Sequence, residues 1–245
     1  MHIKVLALAA GLTLLAAPAL AGGTGCREGT EGNDVIVCSR FDDFHPGDAG
    51  HDSVAGKGGS DSLYGGEGND DLFGGIGQDV LSGDAGHDRL DGGAGADMLQ
   101  GGNGDDRIEG YESSDSLVGG TGHDRLDGGS SGDQLTGRTG ADALIGGEGD
   151  DTLNGGAGAD EVGGGEGNDL QRGGPGPDLL TAGDGHDRLH PGRGTDRVRA
   201  GLGDDTIDAS NSDVDRISCG GGTDWVEADA LDRVASDCER VRRNH

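Results

Sequence analysis

The chain has 245 residues, 56 of them Gly and only 2% aromatic, and it carries a formal net charge of −29. Taken alone, so little apolar surface under so much self-repulsion describes a disordered chain, and an internal repeat is the one feature that can overturn that expectation. Five Pro and no strict G-x-y triplet exclude collagen, while the acidity argues against nucleic acid or an anionic membrane as a direct partner and for bound cations.

In chain order, residues 1–21 read as a cleaved signal peptide. His2 and Lys4 precede an apolar run from Val5 to Ala17, and Ala19-Leu20-Ala21 supplies a small-x-small cleavage site. The run is too short to span a bilayer and no second one follows, so no transmembrane segment is expected. Gly23-Thr24-Gly25 before Cys26 lack the leucine of a lipid-attachment site. Residues 22–46 form an N-terminal cap with degenerate repeats. GTEGNDVIV at 29–37 and CSRFDDFHP at 38–46 keep Asp34 and Asp43 at the sixth place.

Residues 47–208 are 18 nonamers without insertion or deletion, such as GGEGNDDLF at 65–73 and GDAGHDRLD at 83–91. The sixth position is Asp in all 18, the eighth is Val, Leu or Ile in 17 with Gln171 the exception, and the fourth is Gly in 16, with Ser113 and Ser131 departing. After Asp208 the phase slips by one residue, and 209–245 read as a C-terminal cap. It holds three strand-like triples, Asp215-Arg216-Ile217, Asp224-Trp225-Val226 and Asp232-Arg233-Val234, before a basic tail of Arg240, Arg242 and Arg243 that reads as a solvated end. Trp225, the single Trp, is expected to pack in that cap.

The nonamer resembles the RTX repeat, G-G-x-G-x-D-x-U-x, over about three quarters of the chain. The resemblance implies an all-β fold, a right-handed parallel β-roll solenoid of calcium-binding nonapeptide repeats, here with disulfide-stapled caps. Glycines at positions one, two and four allow positive φ and close backbone approach, so G-G-x-G-x-D is a turn. The x-U-x that follows is a three-residue strand whose middle side chain faces inward. Eighteen residues make one coil, so residues 18 apart stack about 4.8 Å apart. Cys219 and Cys238 lie 19 residues apart, close to one coil, and are expected to pair; Cys26–Cys38 follows by elimination. Four cysteines as two disulfides suit an exported chain.

The stacking sets Asp52, Asp70, Asp88, Asp106, Asp124, Asp142, Asp160, Asp178 and Asp196 on one edge, and Asp61, Asp79, Asp97, Asp115, Asp133, Asp151, Asp169, Asp187 and Asp205 on the other. Like charges about 5 Å apart in a row repel, and a hard dication between successive turns removes the repulsion while accepting backbone carbonyls. These aspartates, with Asp34, are the candidate ligands. Eight gaps per edge give about 16 Ca2+. Mg2+, with its tight octahedral demand, fits loop carbonyls less well.

Chemistry of other kinds finds little support. His51, His87 and His123 stand 36 residues apart, two coils, too far to share a metal, and His186 falls on the opposite edge. There is no G-x-S-x-G and no H-E-x-x-H. Tyr64 and Phe73 fall in adjacent nonamers, on opposite edges, and make no sugar-stacking platform. The expectation is a secreted, extracellular, monomeric calcium-binding or structural module without enzymatic activity, whose partner beyond calcium is an extracellular protein or polysaccharide. The alternative is a detached accessory or chaperone-like module of a secreted hydrolase or polysaccharide-modifying enzyme. Many RTX proteins leave the cell by a C-terminal signal; the N-terminal one here implies the general secretory route.

Overall fold

The computed structural model describes Cys26 and residues 29–244; the signal peptide expected at 1–21 lies outside the described residues. Nearly every nonamer gives one strand, and successive strands go to alternate sheets. One sheet has 12 strands, from Val35–Val37 to Arg233–Val234. The other has 13, from Phe44–His45 to Arg240–Arg243, with Asp48–Ala49 pairing at its side. All pairings are parallel, and in the repeats each residue meets the one 18 further on, as Leu72 meets Leu90 and Leu63 meets Leu81. The described residues contain no helix.

The strands are longer than the x-U-x triple. Ser62–Glu67, Asp71–Ile76 and their successors have six residues, because the chain stays extended through the opening glycines of the next nonamer. Along Ser62–Glu67 the burial alternates, so that Leu63 and Gly65 both face inward. The ladder pairs Tyr64 with Ser82, omits Gly65, and resumes with Gly66 opposite Asp84. Positive φ is confined to positions two and four of these turns, as in Gly66 (105°) and Gly68 (143°). Lys57, Asp84, Tyr111 and Arg138 accept it at position two, and Ser113 and Ser131 at position four. The first glycine therefore answers to a different constraint, which the turns reveal below.

The core is two facing columns of position-eight side chains. Val54, Leu72, Leu90, Ile108, Leu126, Leu144, Val162, Leu180 and Val198 line one sheet, and Leu63, Leu81, Leu99, Leu117, Leu135, Leu153, Leu189 and Ile207 line the other, all fully buried or nearly so. Each contributes roughly 1.5–3 kcal/mol by leaving water. His45 occupies the inward place above Leu63 and is buried, so the column starts on an imidazole that the repeat pattern did not announce. Gln171 takes the inward place between Leu153 and Leu189, fully buried, while Leu170 is only partly covered.

Both expected disulfides form, Cys26–Cys38 with Cα atoms 4.4 Å apart and Cys219–Cys238 with Cα atoms 5.2 Å apart. The phase slip also appears. Arg197 pairs with Arg216 and Thr206 with Trp225, 19 residues on, and the next coil tightens so that Arg216 pairs with Arg233. One expectation for this end is corrected. Trp225 is 42% exposed, because it holds the outward place beside Val226 rather than a core place. The basic tail is exposed throughout, in keeping with a solvated end, and forms a strand, Arg240–Arg243, paired with Trp225–Ala228 and closing the 13-stranded sheet. Tyr64 and Phe73 lie on different sheets; Tyr64 meets Phe44 with ring centroids 5.7 Å apart, and the Arg89 guanidinium stands 5.8 Å from the Phe73 ring centroid.

Candidate metal sites in the turns

Stacking the turns brings the position-six aspartates into two rows, one along each edge of the roll, and gives the two oxygens of each carboxylate different surroundings. Oδ1 is held by the chain itself. The backbone N–H of Asp52 donates to Asp70 Oδ1 at 2.7 Å, that of Asp70 to Asp88 Oδ1 at 2.8 Å, and the row continues through Asp106, Asp124, Asp142, Asp160, Asp178 and Asp196. On the other edge the same bond links Asp61, Asp79, Asp97, Asp115, Asp133, Asp151, Asp169, Asp187 and Asp205. Each carboxylate is thereby fixed in rotamer and aimed inward.

Oδ2 has no such partner. In all 18 repeat aspartates from Asp52 to Asp205 it is buried without a hydrogen bond among the described residues, and these side chains are at most 3% exposed. An unpaired buried carboxylate oxygen costs several kcal/mol, and one such group in nearly every turn is a pattern, not an accident of packing. The first glycine of each repeat opens the space in front of it. A Cβ added to Gly74 would stand 2.5 Å from Asp79 Oδ2 and 2.7 Å from the carbonyl oxygen of Gly92, and one on Gly110 would stand 2.5 Å from Asp115 Oδ2 and 2.6 Å from the carbonyl oxygen of Gly128. A carboxylate oxygen of one turn and a carbonyl oxygen of the next thus converge on a cradle that a methyl group would fill. This is the constraint on position one, and it is relaxed only at Ala182, Pro191 and Ala200.

Burial raises the pKa values of these groups. The carboxyls of Asp106, Asp169 and Asp178 are pushed up to about 7, chiefly by desolvation and further by the neighbouring aspartates of their own rows. Those of Asp61, Asp88, Asp97, Asp115, Asp133, Asp142, Asp151 and Asp205 go to about 6 for the same reasons. The site wants positive charge and offers hard oxygen donors of two kinds, which suits Ca2+ and not a nitrogen- or sulfur-seeking metal. The cluster of Cys26, Cys38 and Asp43 is no metal site, because its two sulfurs are bonded to each other.

The histidines have a structural task. His51 Nδ1 accepts the backbone N–H of Asn69 at 2.6 Å, His87 Nδ1 that of Asp105 at 2.8 Å, His123 Nδ1 that of Ala141 at 2.9 Å, and His186 Nδ1 that of Asp204 at 2.9 Å. Asn33, Asn69, Asp105 and Asn168 do the same with a side-chain oxygen. Position five therefore builds an outer ladder parallel to the aspartate rows. Its signal in the sequence is the recurrence of His, Asn, Asp and Ser immediately before the Asp.

The rows run beyond the strict repeats. Asp34 and Asp43 stand at one end, Asp215, Asp224 and Asp232 at the other, linked by the same backbone bond to Oδ1. Asp224 also has a buried, unpartnered Oδ2. It escapes a fixed nine-residue reading because of the inserted residue after Asp208. Asp34 differs from the repeat aspartates, since its Oδ2 accepts from the Thr30 N–H and hydroxyl at 2.6 and 2.9 Å.

A family model of the RTX calcium-binding nonapeptide repeat, four copies long, matches the chain in overlapping segments, 46–81, 64–99, 82–112, 100–135, 109–142, 136–171, 164–198 and 192–226. A comparison with curated proteins gives no match.

Proposed function

The chain belongs to the family of RTX calcium-binding nonapeptide-repeat proteins, and from that premise we propose that it is an exported module whose folding waits on calcium. The carrying observation is the set of inward, unpartnered Oδ2 atoms from Asp52 to Asp205, with the next turn's carbonyl converging on a glycine-walled cradle in repeats such as those of Asp79 and Asp115. Asp52, Asp61, Asp70 and their successors are the ligands on this reading, with about 16 ions between the stacked turns. At neutral pH the metal-free rows place like charges about 5 Å apart behind a core one side chain thick. A chain of net charge −29 has little to set against that repulsion until the cations arrive.

The two disulfides support export to an oxidising compartment, where calcium at roughly 10⁻⁴ to 10⁻³ M matches the affinity range of extracellular modules. The roll acts there as a monomeric binding or structural element, its outward side chains meeting an extracellular protein or polysaccharide, and it is not an enzyme. Circular dichroism of the whole chain tests this. In excess EGTA the spectrum should be that of a disordered chain, millimolar calcium should bring a cooperative gain of β signal that chelator reverses, and magnesium should do much less. A well-folded spectrum in EGTA would overturn the proposal.

A further inference from the structure

We infer that the calcium array has built-in ends, at which four position-six aspartates have exchanged the metal for protein donors. The inference rests on the calcium reading above and assigns which carboxylates take part in it. Among the described residues, Oδ2 is unpartnered in every row member from Asp52 to Asp205 and in Asp224, but not in Asp34, Asp43, Asp215 or Asp232. Asp34, Asp43 and Asp232 end their rows and Asp215 stands next to Asp232, while the other row runs open to Asp224. At the N-terminal end the Thr30 N–H and hydroxyl donate to Asp34 Oδ2, and the Ser39 N–H and hydroxyl donate to Asp43 Oδ2 at 2.7 and 2.8 Å. At the other end the Asn211 side-chain amide donates to Asp215 Oδ2 at 3.0 Å and also to the Gly192 carbonyl of the preceding turn, and the Asp229 N–H donates to Asp232 Oδ2 at 2.8 Å.

Asn211 shows the substitution most directly. Its NH2 group lies between a carboxylate of its own turn and a backbone carbonyl of the turn before, the two kinds of oxygen that a bridging cation would engage. An amide supplies two polarised hydrogens there and needs no ion. The residue inserted after Asp208 lengthens this turn enough for Asn211 to reach back. Thr30 and Ser39 sit at the second place of their turns, where the strict repeats carry Gly, Asp, Lys, Tyr or Arg and never Ser, Thr or Asn. A hydroxyl at position two therefore marks a turn closed to metal. Each disulfide brackets one of these ends, Cys26–Cys38 enclosing Asp34 and Cys219–Cys238 enclosing Asp232, so a covalent bond reinforces the coils where these carboxylates are held by protein donors. Asp224 joins the ligand rows and Asp34 leaves them, for a total of about 17 ions.

The test is calcium stoichiometry by calorimetry on the full chain, with bound calcium counted independently after gel filtration. Asp215→Asn, Asp34→Asn and Asp232→Asn should leave the count at the wild-type value, whereas Asp160→Asn and Asp224→Asn should each lower it by about one or two. Asn211→Asp should raise it by about one, because a carboxylate replaces the amide between the two turns. A loss of ions in Asp215→Asn or Asp34→Asn equal to that in Asp160→Asn would overturn the inference, as would an undiminished count in Asp224→Asn. Wild-type protein that binds no calcium would instead sink the reading on which it rests. The three Asp→Asn variants at the ends are independent of one another, so a single variant that does not fold leaves the comparison intact.

Discussion

The backbone N–H of Asp106 donates to Asp124 Oδ1, one coil further on, at 2.9 Å, while Asp124 Oδ2 is buried with no donor among the described residues. One carboxylate is thus split between a structural bond and a ligand position. Asp124→Ala removes both. The Asp106 N–H loses its acceptor, at a cost of about 1–3 kcal/mol, and the two gaps bordering the turn lose a ligand. Calorimetry should show calcium stoichiometry lower by about two, with distant coils still able to fold because each coil contacts only its neighbours. An unchanged count would mean that the aspartate row is not the ligand set.

The raised pKa values fix a pH dependence. In the metal-free roll Asp106, Asp169 and Asp178 titrate at about 7 and many of their neighbours at about 6, against an ordinary value of 3.8. Because the folded values lie above the unfolded one, the folded metal-free form binds more protons through this range. Its stability is greatest below the unfolded value and is lost as pH rises through 6–7. Calcium competes with the same protons, so the calcium midpoint should move to higher concentration as pH falls from about 8 to about 5.5. Dichroism titrations at the two pH values check this, and a midpoint that does not move would contradict it.

The closing strand Arg240–Arg243 leaves one edge of its sheet open. It is the last of its sheet, and all four of its residues are exposed. An open parallel edge is a template for a second chain, and charged side chains blunt it. Arg242 is anchored to Glu227 at 3.0 Å. Arg240→Thr with Arg242→Thr should convert the edge to a β-prone, uncharged strand. The wild-type chain is then expected as a monomer by light scattering in calcium and the double variant as dimers or longer species. A monomeric double variant would show that the arginines do not guard this end.

Much of this architecture is legible in the residues. A sixth-position Asp in unbroken phase gives the two rows, a position-eight aliphatic gives the facing columns, and 19 residues between Cys219 and Cys238 gives the staple. What escapes is what depends on atoms rather than spacing. Spacing alone does not give the glycines at positions one and two their different tasks, Gly65 leaving room for a carboxylate oxygen while Gly66 supplies a positive φ. The strand Arg240–Arg243 carries no Asp-x-U signature, because Glu239 takes the place of the row's next aspartate and accepts the Asp224 N–H at 3.1 Å. The partnering of Asp34 by Thr30 is likewise invisible to a repeat count, which treats every position-six Asp as equivalent.

Gln171 offers the sharpest test of packing. It is fully buried in a column that is aliphatic from Leu63 to Val226 apart from this residue, flanked by Leu153 and Leu189, with Leu170 on the outward side. The register holds through this repeat because Asp169 and Asp178 keep their row bonds on either side, and a one-residue slip would reverse every facing between them. The amide is half satisfied. Nε2 donates to the Thr181 carbonyl of the opposite sheet at 3.1 Å, but Oε1 is buried without a donor among the described residues. Gln171→Leu removes the unpaired oxygen, worth roughly 1–3 kcal/mol, and gives up a single hydrogen bond worth about 0.5–1.5 kcal/mol, while a side chain of nearly the same length continues the column. The unfolding midpoint in saturating calcium should therefore rise, by about 2–4 °C for a chain of this size. Gln171→Ala should lower it, since a cavity replaces both the amide and its bond. A fall in the Gln171→Leu midpoint would show that the tie to Thr181 outweighs the buried oxygen.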